Sequence, residues 1–411
     1  MSKKILEGVV VLDLTRFFSG PQSTLFLAGL GAEVIKIDDP KTGDPTAFAP
    51  PFAGPSGVSF TRQTDSDMGI AYLKRARGKK SATLNLKSVE GREIFLRMAA
   101  NADVVVDNFS TGVADRLGIG YEALKAANPK IIYCSLTGYG STGPDQNLKA
   151  YDLMVQAAVG LMSITGHPDS APTKAGSPLS DAIAGVFAAM GILSALVHRE
   201  RTGEGQSVDV SMADCLFSLI FDEPLDCYGR LGLEFQQGSR IMRFSPFNVY
   251  KCADGWITIG AATNEDWMAL LDLMGKSHLK QNELLMSVGW RLANNAEVDA
   301  IVGEWAVDKT AEEIVGLLSV AKVPCSPVRT IDEVLKWQQM QHREMAMPLW
   351  NPLSNSEMQA SGPGFPIKFG SSSCGYDSPA PLPGQHSDEV LSRLAQLSAP
   401  DIASLRNAGV I

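Results

Sequence analysis

Short apolar runs alternate with helical periods along the first half of the chain. Val9-Val10-Val11-Leu12-Asp13-Leu14 is apolar without alternation, as suits a parallel strand covered on both faces. Ser19-Gly20-Pro21 breaks it and opens a helix with proline in its first turn. That helix carries Leu25, Phe26, Ala28 and Leu30 and is closed by Gly29 and Gly31, and Val34-Ile35-Lys36-Ile37-Asp38 forms the next strand. The unit repeats: a helix through Ile94, Phe95, Leu96 and Met98 precedes the strand 103–106, and Ile131 to Leu136 forms another strand before Gly138-Tyr139-Gly140. The longest helical pattern runs from Asp181 to Arg201, with Ser180 as the expected N-cap, Asp181 in the first turn, and Gly203 beyond the end. Gln206 to Ser211 forms one more strand, followed by a helix from Ala213.

This alternation predicts an α/β fold, with a Rossmann-like, doubly wound large domain over residues 1–224. The pattern changes after a linker near 236–246. A hairpin from Tyr250 to Gly260 and helices around Trp267 to Met274 and Trp305 to Leu318 predict a smaller α+β domain over 225–335. Residues 336–411 complete the large domain; their Pro- and Gly-rich stretch 362–383 crosses a surface before a short final helix from Ser387.

Composition narrows the function. At 411 residues the chain exceeds a single ordinary core. Its net charge of −9 argues against a general nucleic-acid binder, while leaving room for a local basic site that holds phosphates. The six cysteines lack C-x-x-C spacing, so reduced thiols and no metal are expected. The opening residues carry Lys3 and Lys4 without an apolar segment after them, which predicts no secretory signal. The longest apolar stretch, Ala182 to Val197, falls short of the usual spanning length of about 20 residues. A cytoplasmic protein without a membrane partner is therefore expected.

Several chemistries lack their motif. No G-x-G-x-x-G follows the first strand, so the glycine cradle for a dinucleotide pyrophosphate is missing there. There is no G-x-x-x-x-G-K-[ST] and no G-x-S-x-G. The one dense basic run, Lys74-Arg75-Ala76-Arg77-Gly78-Lys79-Lys80, lies before an apparent strand at 82–86. It reads as a solvated face or as a phosphate site. Asp152 and Asp181 are the aspartates of interest. At a helix N-terminus, Asp181 is expected to stay ionised, which suits a nucleophilic carboxylate.

The order and spacing of several segments resemble the class III CoA-transferase family, of the formyl-CoA transferase and CaiB/BaiF type. They include Leu6 to Leu14, Ser19-Gly20-Pro21, Leu30 to Ile37, Lys79-Lys80-Ser81 with Leu84-Asn85-Leu86-Lys87, Asp107 to Gly112, Asn128 to Tyr133, and Arg199 to Gln206. The resemblance implies that Asp181, 25 residues before Gln206, is the catalytic aspartate. It would carry CoA from an acyl-CoA donor to a carboxylic acid acceptor, through acyl-aspartyl anhydride and aspartyl-CoA thioester intermediates. CoA contacts would fall at Ser19, Leu84, Asn85, Leu86, Lys87, Asn108, Phe109, Arg116, Lys149, Ala150 and Tyr151, with Arg116 and Lys149 meeting phosphates. The CoA thioester enters as substrate, with no permanently bound cofactor. An interlocked homodimer, or a heteromer with a related chain, is also implied.

Departures from the pattern matter. Phe18 stands where formyl-CoA transferases have Gln, and their glycine-rich loop is missing at Ile259-Gly260-Ala261-Ala262, so an oxalate–formate pair is not expected. The Phe17-Phe18 pair suggests a bulkier, more apolar acid. Two alternatives follow from the same family. A 2-methylacyl-CoA racemase would need His before Asp152, where this chain has Tyr151, a poor base near neutral pH. A non-catalytic partner subunit would not need Asp181.

Overall fold

A computed structural model describes residues 4–411, which divide into two compact units. The first comprises residues up to 161, 175–223 and 338–411; the second comprises 162–174 and 224–337. The segment 162–174, assigned from the sequence to the large domain, clusters with the second unit. Nothing in its composition marked it.

A six-stranded parallel sheet forms the middle of the first unit. Its strands are β1 (Val10–Asp13), β2 (Glu33–Asp38), β3 (Lys79–Thr83), β4 (Val104–Asp107), β5 (Ile132–Thr137) and β6 (Ser207–Ser211), arranged β3-β2-β1-β4-β5-β6. All neighbouring pairs are parallel. The apolar runs lack alternation because both faces are covered. Leu12 and Val105 enter one core with Phe95 and Met98; Val11, Val104 and Val106 enter the other with Leu27 and Ile192. Strand order reverses between β1 and β4, so the crevice at their C-terminal ends is where a doubly wound sheet places a ligand.

Three helices matter for that crevice: α1 (Ser19–Gly29), α2 (Asp152–Ala158) and α3 (Leu179–Thr202). By length and composition α3 could cross a membrane, yet Ala184, Ala188, Ile192 and Ala195 along one face are packed in the core. Gly203 ends it at φ 79°, donating its N–H to the Arg199 carbonyl, as the sequence predicted. Its start differs: Pro178 is the N-cap, and Ser180 lies inside the first turn because its hydroxyl bonds elsewhere.

The C-terminal segment returns to the first unit. Val390, Leu391 and Ile402, from the helices Ser387–Leu394 and Ala399–Asn407, join the β1/β4 core. The tail also contains a hairpin, Ala346–Asn351 with Ser356–Pro363, that the sequence reading passed over. The second unit has a three-stranded antiparallel sheet, Phe247–Cys252, Gly255–Gly260 and Cys325–Pro327, covered by helices around Trp267, Val302 and Ile314. All six cysteines are free.

The basic run is neither a solvated face nor a single phosphate site. The strand begins at Lys79, earlier than expected, and Lys79 is buried, paired with Asp13 at 2.9 Å. Lys80 pairs with Glu33 and Glu389, while Arg77 donates to the Lys74 and Pro363 carbonyls beside the Tyr376 ring. A lone buried carboxylate is costly, so removing the Lys79 cation should be severe. Lys79→Met is expected to lower unfolding stability by about 3–5 kcal/mol in urea titrations; a loss under 1 kcal/mol would contradict the pairing.

Candidate active site

The loop after β1 is held tightly. Asp13 Oδ1 accepts from the Thr15 N–H (2.9 Å) and hydroxyl (2.5 Å), and Oδ2 accepts from Thr24 (2.7 Å) and Lys79. Burial pushes the Asp13 carboxyl up, but Lys79, Lys36 and the two hydroxyls outweigh it and hold it below the usual range. From the end of β4, the Asn108 amide clamps Arg16 in both directions: its oxygen accepts the Arg16 N–H at 2.9 Å and its nitrogen donates to the Arg16 carbonyl at 2.8 Å. The Arg75 guanidinium donates to the Phe17 carbonyl at 2.5 Å. Between these clamps Phe17 adopts φ 67°, a left-handed backbone that costs a bulky residue roughly 1–3 kcal/mol. Such strain persists only where neighbours over-determine it, and it turns the chain into α1 at Ser19.

Asp181 stands half-buried in the first turn of α3. Gly185 lets α3 approach α1 closely, since a Cβ there would stand 2.9 Å from the Ser19 carbonyl oxygen. Burial pushes the Asp181 carboxyl up to about 6; hydrogen bonds from the Ser19 side chain and backbone and the charge of Arg75 oppose the rise, and Asp152 adds to it. The expectation of a helix end favouring ionisation thus gives way to desolvation, although a group with a pKa of about 6 is still mostly ionised at pH 7.

Asp152 is committed differently. It is buried at the start of α2, and Oδ1 accepts both the Ser180 N–H (2.9 Å) and hydroxyl (2.7 Å) while Oδ2 accepts from Gln156 (2.7 Å). Gln156 in turn accepts the Ala175 N–H at 3.1 Å. Asp152 therefore ties the first turn of α3 to α2. The N-terminal ends of α1, α2 and α3 meet here, an arrangement favourable to anions.

The other expected contact residues divide. Leu84 is in the core, leaving only its backbone for a ligand, and its N–H is bonded to the Asp38 carbonyl. Asn85 and Leu86 are half-buried and Lys87 is exposed, at the C-terminal edge beyond β3. Asn108 and Phe109 follow β4; the Phe109 N–H bonds Asp107 at 3.0 Å, and burial pushes that carboxyl up to about 6. Arg116 and Lys149 are exposed, and neither has an ion pair among the described residues. Ala150 sits against Gly138, where a Cβ would stand only 2.2 Å from its own. Tyr151 is exposed, its ring edge-to-face with Phe17 at 6.4 Å. Sequence reasoning missed two features here: the Ser180–Asp152–Gln156 clamp, in which Ser180 lies 28 residues from Asp152, and Arg75, hidden inside a basic run. Arg75 caps the Phe18 ring at 4.1 Å, so the wall read as apolar carries a cation.

Fold and site together define a doubly wound α/β protein with a desolvated carboxylate where helix N-termini meet. The model of CoA-transferase family III matches residues 6–387. The chain is 31% identical to the succinate–glutarate CoA-transferase of Agrobacterium fabrum, over 95% of this chain and 96% of that protein. It is 36% identical to the acetyl-CoA:oxalate CoA-transferase of Acetobacter aceti, over 92% and 91%. The crystal structure of a CAIB/BAIF family protein from Brucella suis has a TM-score of 0.81 at 31% identity, covering 96% of this chain and all of that one. The chain belongs to CoA-transferase family III. It is a CoA-transferase, and its substrate class is a CoA thioester.

The raised pKa of Asp181 gives a stability test. The folded value of about 6 exceeds the ordinary 3.8, so the stability held by the protonated form is complete below pH 4 and lost as pH rises through 6. Asp181→Asn should therefore melt at a higher temperature than the unsubstituted protein at pH 8, by about 1–2 kcal/mol of stability after solvent screening. The gap should close toward pH 4. An equal offset at both pH values would contradict the assignment.

Proposed function

We propose that this CoA-transferase works through Asp181 as a covalent nucleophile. The observation that carries this reading is the Asp181 carboxylate itself, half-buried beside Ser19 where three helix N-termini meet. Ionised Asp181 attacks the thioester carbonyl of the donor acyl-CoA, forming a mixed anhydride and expelling CoA thiolate. The thiolate attacks the aspartyl carbonyl, forming the aspartyl-CoA thioester and releasing the donor acid. The acceptor carboxylate attacks that thioester, and returning thiolate takes the new acyl group and restores Asp181. The Ser19 donors, which face the carboxylate in the resting state, remain beside the oxygens on which charge develops. Arg116 and Lys149, exposed and without ion pairs among the described residues, take the CoA phosphates; Asn85 to Lys87, Asn108, Phe109, Ala150 and Tyr151 line the remaining path.

The relatives' names pair a CoA thioester with succinate, glutarate or oxalate, which supports a carboxylic acid acceptor here. The reading includes an interlocked homodimer, or a heteromer with a related chain, in the cytoplasm; light scattering of the purified chain tests the assembly. Against a racemase stands Tyr151, where a His would be needed. Incubation with a chiral 2-methylacyl-CoA in deuterated water should give no α-deuterium without an acceptor acid.

Trapping tests the nucleophile directly. Protein incubated with acyl-CoA and then treated with borohydride or hydroxylamine should carry its modification on the peptide containing Asp181. Active protein with no adduct there would overturn the mechanism.

A further inference from the structure

Arg75 is a charged group of this crevice that the transfer steps leave without a task. It ends the short helix Ile70–Arg75, stacks on Phe18 and donates one N–H to the Phe17 carbonyl. The rest of its fork has no protein partner among the described residues, and no carboxylate stands within ion-pair distance. A half-buried guanidinium without an anion is costly to keep, and five N–H donors in a rigid plane are shaped for a carboxylate.

Two carboxylates act on Arg75 from beyond contact, Asp181 and Asp44. Asp44 is already paired with Lys36 at 2.8 Å. Asp181 becomes neutral whenever it is acylated, as anhydride or as thioester. At those moments Arg75 would stand half-buried with the charge of Asp181 gone and Asp44 already paired. An acid substrate that brings a second carboxylate restores the balance.

We propose that Arg75 binds the non-reacting carboxylate of the acid substrate, so that the acids exchanged are short dicarboxylates. The inference rests on the Asp181 reading for the position of the reacting carboxylate. Phe18 holds the guanidinium flat from one side and the Phe17 carbonyl anchors one end, leaving the free edge for two parallel hydrogen bonds to the ligand. The strained Phe17 backbone then has a purpose, since it turns the carbonyl that orients Arg75.

The test compares succinate with butyrate, acids of equal length differing by one carboxylate, as acceptors for the unsubstituted protein, Arg75→Lys and Arg75→Gln, each checked for folding by its melting curve. The unsubstituted protein should favour succinate. Arg75→Gln should lower the succinate-to-butyrate ratio of kcat/KM by about tenfold to a hundredfold, mainly through KM for succinate, and Arg75→Lys should restore part of it. A ratio near unity in the unsubstituted protein, or an equal loss for both acids, overturns the inference. Borohydride capture at Asp181 and calorimetric binding of free succinate separate the two claims. Capture without Arg75-dependent discrimination removes the dicarboxylate site alone. Arg75-dependent succinate binding without capture removes the Asp181 mechanism and leaves the anion site standing.

Discussion

Asp13 is the constraint on which the ligand end of the first unit depends. It is wholly buried at the end of the central strand, and each of its oxygens is occupied. Lys79 supplies the charge that makes this burial tolerable and also bonds the Pro21 carbonyl, so one ion pair joins β1, β3 and the first turn of α1. The loop from Thr15 to Phe18 has its shape imposed from that point and from Asn108. Ser19 is delivered to Asp181 as a result.

Asp152 and Asp181 show how setting divides two carboxylates between tasks. Asp152 has three donors on its side chain from Ser180 and Gln156, and it serves as a joint between helices. Asp181 is half-buried, and desolvation outweighs its Ser19 hydrogen bonds and the charge of Arg75, so its carboxyl is pushed up to about 6. A carboxylate that is ionised yet poorly solvated is the more reactive of the pair, because little hydration must be stripped from it before attack. Asp152 contributes by holding the helix start still and by keeping a second negative charge close.

Much of the α/β plan was legible along the chain because β1, β2, β4 and β5 are β-branched runs between helix signals. The reading of Asp181 as the nucleophile rests on its spacing to Gln206, a resemblance and not a physical derivation. What escaped is tertiary. Ser180 looked like an N-cap because its partner, Asp152, lies 28 residues away, and no local pattern announces that bond. The basic run looked uniform because charge composition says nothing of direction: Lys79 turns inward to Asp13, Lys80 outward to Glu33 and Glu389, and Arg75 toward Phe17. The rise in the Asp181 carboxyl was invisible for the same reason, since a helix end is local and desolvation is not.

The passage of an oxygen atom tests the central claim most directly. In the mechanism proposed, the acceptor carboxylate attacks aspartyl-CoA, and one acceptor oxygen remains on Asp181 after the new acyl-CoA departs. Turnover with acceptor acid labelled with oxygen-18, followed by mass spectrometry of the peptide containing Asp181, should find the label in that side chain. Label absent from Asp181 in protein that has turned over, or placed on another residue, would contradict the account.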